Sequence, residues 1–511
     1  MTGKTTLRHG AALGALTALG LGAAAQAQPA PADADMMAQL RALQAQVQML
    51  QARLEAQEQA QAARPLVAQR PASPVATAQP AAPVAVAASA ASKATTIEWR
   101  GAPELSNADG YRFKVRGRLQ YDIGWVGNPR EALTGNFGFN SRVRRLRLGV
   151  EGWLPGDLQY KAEADFANSA VGYGDVILFW QPKGKPYQLG IGNYDTFQSL
   201  EQPSSSRHIS FLERAQFVEA FDQTRRLGAW AGLADPKNDA WRINLGLFND
   251  RIRPDNAAGA VQGSYGNDDI LLAARAVYSP HVPVGRLHVG VNYQHRTFQT
   301  NDLQQTYQAR PFSATTDVRF VSTGAVAARG DEQIGLEAAA VLGRFHLAGE
   351  AQRLKVSAIL PGDGLSGRES TTGRRLSGDP VFHGWYAEAG VFLTGEHRGY
   401  AKGNWDRTKV LHPVSQGGIG AIQLNLRYDV LDLTDQVGTG AAGADLVNGG
   451  RQSGVLGSLI WQPIDYVRFT LQYSHARVVG GPRGQTVDPS GAPTDAAFSS
   501  SQVLMRGQFD F

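Results

Sequence analysis

Four arginines fall between Arg142 and Arg147 in the stretch RVRRLRLGVEGW, after which the chain alternates apolar and polar residues. Guanidinium groups give planar, bidentate hydrogen bonds to phosphate and carboxylate oxygens, so such a run suits an anion. Other basic residues keep the same rhythm. Lys114, Arg116 and Arg118 recur at every second position, Arg145 and Arg147 do the same, and Lys161, Arg226 and Arg242 follow in later apolar-polar stretches. A spacing of two places residues on one face of a strand. A further set, Ser205, Ser206, Arg207, Glu213 and Arg214, lies in the long segment from Asp195 to Thr224. Hydroxyls and guanidinium groups there are donors able to replace part of an anion's hydration shell at a constriction. His208 and Ser210 bring nucleophilic catalysis to mind, but no orienting acid follows from the spacing and no catalytic residue is expected. Histidines and carboxylates at ligand spacing do not form a convincing set, so neither a metal nor a cofactor is expected.

Period two fixes the elements that carry these residues. Phe113, Val115, Gly117, Leu119, Tyr121, Ile123 and Trp125 alternate with Lys114, Arg116, Arg118, Gln120 and Asp122. One face is apolar with aromatics near its ends, and the other is charged. A soluble sandwich also alternates, but three features favour strands that cross a membrane. The segments run to about ten residues or more, the length a tilted spanning strand needs. Tight connections, as at Pro155 to Asp157, Gln181 to Pro186, Asp235 to Asp239 and Gln462 to Asp465, alternate with long ones, as at Arg296 to Asp331 and Ser357 to Val381. The chain also closes on an alternating Val503, Met505, Gly507, Phe509, Phe511.

The pattern predicts sixteen strands, the first near 112 to 126 and the last near 501 to 511. Tyr400 to Lys409 would make the count odd. First and last strands both meet the periplasmic side, so Thr394 to Gln416 is assigned to a longer periplasmic connection.

Composition limits the rest. Lys plus Arg is 50 against 45 for Asp plus Glu, a formal charge of +5 on 511 residues, which argues against a nucleic-acid partner. Cysteine is absent, which removes disulfides and thiolate chemistry. Lys4 and Arg8 precede the apolar run from Ala11 to Ala25, and Ala25-Gln26-Ala27 follows, so residues 1–27 read as a secretory signal peptide. Met36, Leu40, Leu43, Val47, Leu50 and Leu54 form a heptad seam, placing a coiled-coil segment at 28–63. Residues 64–96 are an Ala, Pro and Val linker, and 97–511 form the barrel.

Taken singly, each inward arginine reads as a lumen residue paired with a carboxylate. Taken together, the early strands offer more cations than Glu151, Glu163 and Asp165 neutralise, and an unpaired excess in a narrow lumen draws anions. Strict alternation leaves the facing of Arg142 and Arg144 open. They fall on the lipid side unless they sit at the rim or a bulge turns them inward.

The segments GVEGWLPGDLQYKAEADFA, YQLGIGNYDTFQSLEQPSSSRHISFLER and RRLGAWAG, in that order, resemble the phosphate-selective porin O/P family. The likeness spans about Gly110 to Phe511 and is strongest from Arg144 to Gly232. It implies a homotrimer of sixteen-stranded outer-membrane barrels, each with an arginine ladder leading to a constriction shaped by an inward loop. The family's paired arginines match Arg144 and Arg145. Its loop motifs match Ser205, Ser206, Arg207, Glu213 and Arg214, and its later basic pair matches Arg225 and Arg226. The coiled coil with a long linker is more like relatives that pass dicarboxylates.

The expectation is therefore an all-β, sixteen-stranded antiparallel transmembrane barrel in the bacterial outer membrane. It has an inward-folded constriction loop and is preceded by a short coiled-coil helix in the periplasm. Its partners are small anionic solutes and outer-membrane lipid. Its function is passive passage of anions such as phosphate or polyphosphate. A dicarboxylate or general porin is the alternative, and a barrel tethering the envelope is the second.

Overall fold

The computed structural model describes residues 95–129, 135–167, 171–249, 252, 269–438, 445–484, 486–487, 493–494 and 497–511. The chain divides into two compact units, Met1–Ala87 and Ala88–Phe511, and every described residue belongs to the second. The expected signal peptide, coiled-coil segment and linker up to residue 94 lie outside the described residues.

Sixteen strands make one closed antiparallel barrel. The first four are β1 (Arg112–Val126), β2 (Gly138–Leu154), β3 (Leu158–Asp165) and β4 (Gly172–Trp180). Next come β5 (Tyr187–Tyr194), β6 (Arg226–Ala234), β7 (Trp241–Phe248) and β8 (Leu271–Tyr278). The second half begins with β9 (Gly285–Thr297), β10 (Val321–Leu342), β11 (Phe345–Ala358) and β12 (Val381–Phe392). It ends with β13 (Ala421–Val437), β14 (Asp445–Ile464), β15 (Val467–Val479) and β16 (Ala497–Asp510). β16 pairs back onto β1, with Val503 opposite Trp125 and Phe509 opposite Leu119. Closure leaves no unpaired edge, which is what allows a sheet to sit in hydrocarbon.

Period two reports the wall faithfully. On β1 the outward Leu119 and Tyr121 are 40% and 41% exposed, while Arg118 and Gln120 between them are buried. All sixteen strands lie where the alternation predicts, but several run further at the loop end. β10 begins at Val321 rather than near 332, β14 at Asp445 rather than near 452, and β13 continues to Val437. These extensions carry outward polar residues such as Arg329, Thr434 and Arg451, so apolar alternation fades before the hydrogen-bonded ladder ends.

Short turns such as Gly343-Arg344 and Asp465-Tyr466 join strands at one end, and long segments join them at the other. The connection between β12 and β13 stays out of the wall, as expected, and carries a small hairpin, Gly399–Ala401 with Asn404–Asp406. A second hairpin pairs Thr96–Trp99 with Pro103–Ser106, strands too short for the alternation to mark. It lies beside the start of β1, with Glu104 opposite Lys114. Among the described residues no helix is long and apolar enough to cross a membrane.

Candidate functional site

The arginine run of β2 owes its geometry to one irregularity. Gln120 of β1 lies opposite Arg145 and Tyr121 opposite Val143, so Arg144 is the extra residue of a β-bulge. The bulge reverses the parity of the strand. Arg142 and Arg144 therefore share the lumen side with Arg145 and Arg147, while Leu146 stays exposed on the outer face. Arg142 donates to the Ala314 carbonyl at 2.8 Å and to Asp317 at 3.0 Å. Arg144 grips Glu213 through Nε at 2.7 Å and Nη2 at 2.9 Å. A second bulge, on β4 between Tyr173 and Val176, brings Asp175 into the lumen beside Lys161.

The segment from Asp195 to Arg225 reaches side chains on distant strands that face the interior. Glu350 of β11 accepts from the Leu200 and Glu201 amides, Gln472 of β15 from the Leu212 amide, and Asp429 of β13 from the Gln216 amide. Arg118 of β1 donates to Ser206 Oγ at 2.8 Å and Ser205 Oγ at 3.3 Å, and Arg506 of β16, the strand beside β15, donates to the Leu212 carbonyl at 2.6 Å. Within the segment, Leu200, Phe217, Val218 and Phe221 are buried in the main apolar cluster of the interior. The hairpin connection between β12 and β13 meets this segment from the other side. Arg398 is hydrogen-bonded to Ser210, His346 and Glu388, its guanidinium lies 4.1 Å from the Trp405 ring centroid, and the Trp405 amide donates to Ser204 Oγ at 2.9 Å. One side of the lumen is filled by these contacts.

The space left open lies against β1 to β4. A cavity of about 250 Å³ is walled by Arg116, Arg118, Arg145, Arg147 and Lys161 from the strands, and by Ser205, Ser206, Arg207 and Arg214 from the segment. Arg225 completes the cations, and Glu163, Asp175 and Asp195 are the carboxylates. Eight cations thus line the cavity with three anions, and Glu151, Asp165 and Asp510 just outside the lining pair with Arg116, Arg147 and Arg207, which leaves eight cations against six carboxylates. Glu163 is divided among Arg147 at 2.8 Å, Arg116 at 3.4 Å and Arg118 at 4.0 Å. Arg145 donates to Gln120 Oε1 at 2.8 Å and makes no ion pair among the described residues. Lys161 and Ile177 also line a second cavity of about 260 Å³, where Lys114 and Glu151 lie, so the basic wall continues toward the short-turn end.

The expected residues separate into groups. Arg116, Arg118, Arg145, Arg147, Lys161, Ser205, Ser206, Arg207 and Arg214 meet at the first cavity, and Lys114 at the second. Arg144 and Glu213 are bound to each other outside it. Arg226 and Arg242 face inward but stand apart, held by Asp269 at 3.1 Å and Asp239 at 3.2 Å. Arg225, at a left-handed φ of 41°, is the basic residue that reaches the cavity in their place. Strict alternation could not find Asp175, because the bulge that turns it inward leaves no mark in the apolar pattern. Burial would raise the Glu213 carboxyl, but Arg144 by charge and hydrogen bond, then Arg145 and Arg506, hold it well below the usual range. Burial, reinforced by Arg207, Arg407, Arg468 and Arg118, pushes His208 well below the usual imidazole value, so it adds no charge near neutral pH.

A closed barrel of sixteen strands with an apolar outer face and a charged interior is an outer-membrane porin. The particular family follows from the sequence match: the chain belongs to the phosphate-selective porin O and P family, whose model covers residues 113–511. An uncharacterized protein of Caulobacter vibrioides is 35% identical over 415 residues, covering 80% of this chain and 78% of that one. Among solved structures, OmpT of Vibrio cholerae is similar with a TM-score of 0.46 at 8% identity, covering 79% of this chain and 98% of its own. The outer-membrane channel DcaP of Acinetobacter baumannii gives 0.44 at 11%, covering 79% and 98%. An anion-selective porin from Comamonas acidovorans gives 0.43 at 13%, covering 78% and 100%.

Proposed function

We propose that this porin is a passive channel preferring small anions such as phosphate or polyphosphate. The observation that carries the reading is the excess of eight cations over the six carboxylates in and around one cavity, with Arg145 and Arg214 in no ion pair among the described residues. An anion entering from the loop end passes Arg142 and Arg144, is met by Arg145, Arg118 and Arg147, and leaves past Arg116, Lys161 and Lys114. Ser205, Ser206, Arg207 and Arg214 supply the facing donors, so Asp195 to Thr224 acts as the constriction loop. Arg226 and Arg242 add to the positive field from a distance. Guanidinium and hydroxyl donors exchange with the hydration shell of the anion while the field repels cations. Transport follows the solute gradient and needs no cofactor.

In the same reading the chain is exported by residues 1–27, residues 28–63 form a periplasmic coiled coil, 64–96 are its linker, and the barrels assemble as homotrimers. No catalytic role is assigned. Ser210 is engaged by Glu388 and Arg398, and no hydrogen bond joins it to His208 among the described residues.

The test of preference is block of chloride current in planar bilayers by phosphate, pyrophosphate and succinate in competition. Phosphate or pyrophosphate blocking at the lowest concentration supports the reading. Succinate blocking first assigns the pore to dicarboxylates, and no block by any of them marks a general porin.

A further inference from the structure

The outward face of the barrel differs between its two halves. At the loop end of β1 to β8 the outward positions hold exposed apolar or aromatic residues, among them Trp125, Phe139, Tyr173, Leu247 and Leu272. At the same end of β11 to β15 they turn basic. Arg353 and Lys355 stand on β11, Arg451 on β14 and Arg477 on β15, with exposed His383 and His475 between them. Arg353 alternates with the buried Gln352 and Leu354, and Arg477 with the buried Ala476 and Val478, so both face away from the lumen.

Among the described residues two carboxylates form ion pairs with these charges, and Glu332 of β10 stands opposite Lys355 in register. Lys355 lies 3.2 Å from Asp379 and Arg451 lies 4.0 Å from Asp432, while Arg353 and Arg477 make no ion pair among the described residues. Cross-strand register places Arg353, His383, Asp432 and Arg451 in one row, and Arg477 is the diagonal neighbour of Arg451. Four strand spacings of about 4.8 Å make the belt roughly 19 Å wide.

Depth identifies what it meets. Arg353 is eight residues from the outward Phe345, and Arg477 is eight from the outward Phe469, both aromatics at the short-turn end. At about 3.3 Å per residue on strands tilted about 40°, that climb is roughly 20 Å, close to the far edge of an apolar band about 25 Å tall. Exposed Trp385, one outward position below His383, and Tyr428, two below Asp432, have ring centroids 5.6 Å apart and sit as an aromatic girdle does at a headgroup layer. Beneath Arg353 on β11, and below Trp385 on β12, the next outward positions are small, Ala351, Gly349, Ala387 and Ala389, and leave a shallow surface for acyl chains beside the Trp385 ring.

We propose that this belt binds the phosphorylated headgroup of a membrane lipid, with Arg353 and Arg477 as its principal contacts. Guanidinium groups without carboxylates at the edge of hydrocarbon lack partners that a phosphate supplies in bidentate form. The site is independent of the pore, which lies on the other side of the wall.

The test uses the full-length protein in detergent and native mass spectrometry with three probes: diphosphoryl lipid A, its dephosphorylated form, and inorganic pyrophosphate. Retention of the diphosphoryl lipid is expected to fall about tenfold in the double variant Arg353→Ala, Arg477→Ala, and to survive largely in Arg353→Lys, Arg477→Lys, with single-channel conductance unchanged throughout. Equal retention by the alanine variant overturns the proposal. Equal retention of the dephosphorylated lipid does so too, and pyrophosphate held as tightly as the lipid reassigns the belt to free phosphate. An altered subunit stoichiometry with unchanged lipid retention makes it a protein interface instead. Should the double variant fail to give a heat-modifiable barrel, the two single variants are compared, each expected to lose about threefold, and no loss in either overturns the assignment.

Discussion

Arg145 makes no ion pair among the described residues, and unlike Arg214 and Arg468, which are spent on backbone carbonyls, it donates only to a side-chain amide, while Arg144, one position earlier, is committed to Glu213. A guanidinium already held by Glu213 has little left to offer a solute, so Arg145 and Arg118 are the groups expected to grip an anion. Replacing Arg145 by Gln removes a charged hydrogen bond worth about 1.5–3 kcal/mol, so phosphate should block chloride current roughly tenfold less well or weaker still. An unchanged block constant would place the gripping group elsewhere. Glu213→Gln should act in the opposite direction on selectivity, since it removes a negative charge beside Arg144 and Arg506. It should also cost about 2 kcal/mol of barrel stability, less than a fully buried pair because Arg144 is 27% exposed, and a lowered unfolding temperature measures this. The Glu213 carboxyl is held below its ordinary value. Its ion pair is therefore complete above the unfolded range near pH 4.5 and is lost only as pH falls through the depressed value. His208, also depressed, stays uncharged across neutrality. Reversal potentials should accordingly stay flat between pH 6 and 8, and a gain in anion selectivity on acidification through 6.5 would show that His208 takes a proton there.

At the scale of elements, the strands are plain in the sequence and the inward course of Asp195 to Thr224 is an expectation from its length and residue types, but the contacts of the segments inside the barrel are not legible there. Alternation marks a strand because lipid and lumen impose opposite demands on neighbouring residues. The hairpin at Gly399–Asp406 could be excluded from the wall by an even strand count, but nothing in its composition shows that Arg398 and Trp405 pack against the Asp195 to Arg225 segment. Bulges are equally silent. One extra residue at Arg144 turns two arginines from lipid to lumen, and one in β4 supplies Asp175, which partly offsets the cation excess that parity alone had counted. The hairpin ahead of β1 leaves no signal in the sequence because its strands, TIEW and PELS, are too short to show a period. Removing Gly399 to Asp406 with a short glycine link should release one wall of the constriction. Single-channel conductance is expected to rise severalfold with weaker anion preference, and unchanged conductance would make the hairpin a passenger.

On the scale of the whole molecule, a formal charge of +5 on 511 residues hides a strongly uneven distribution. Basic side chains are gathered along β1 to β3 and around one cavity, whereas on the far side of the lumen they are matched. Arg427 is bonded to Glu201 and Glu388, and Arg275 to Glu337, as structural pairs. Net charge therefore says little about selectivity here, and the local field at the narrowest passage decides it. The most direct measurement is the reversal potential of the full-length protein in a planar bilayer under a potassium chloride gradient. An anion pore drives the zero-current potential toward the chloride equilibrium value, with the preference reduced in Arg145→Gln. A potential displaced toward the potassium value contradicts an anion-preferring channel, whatever the residues along its wall.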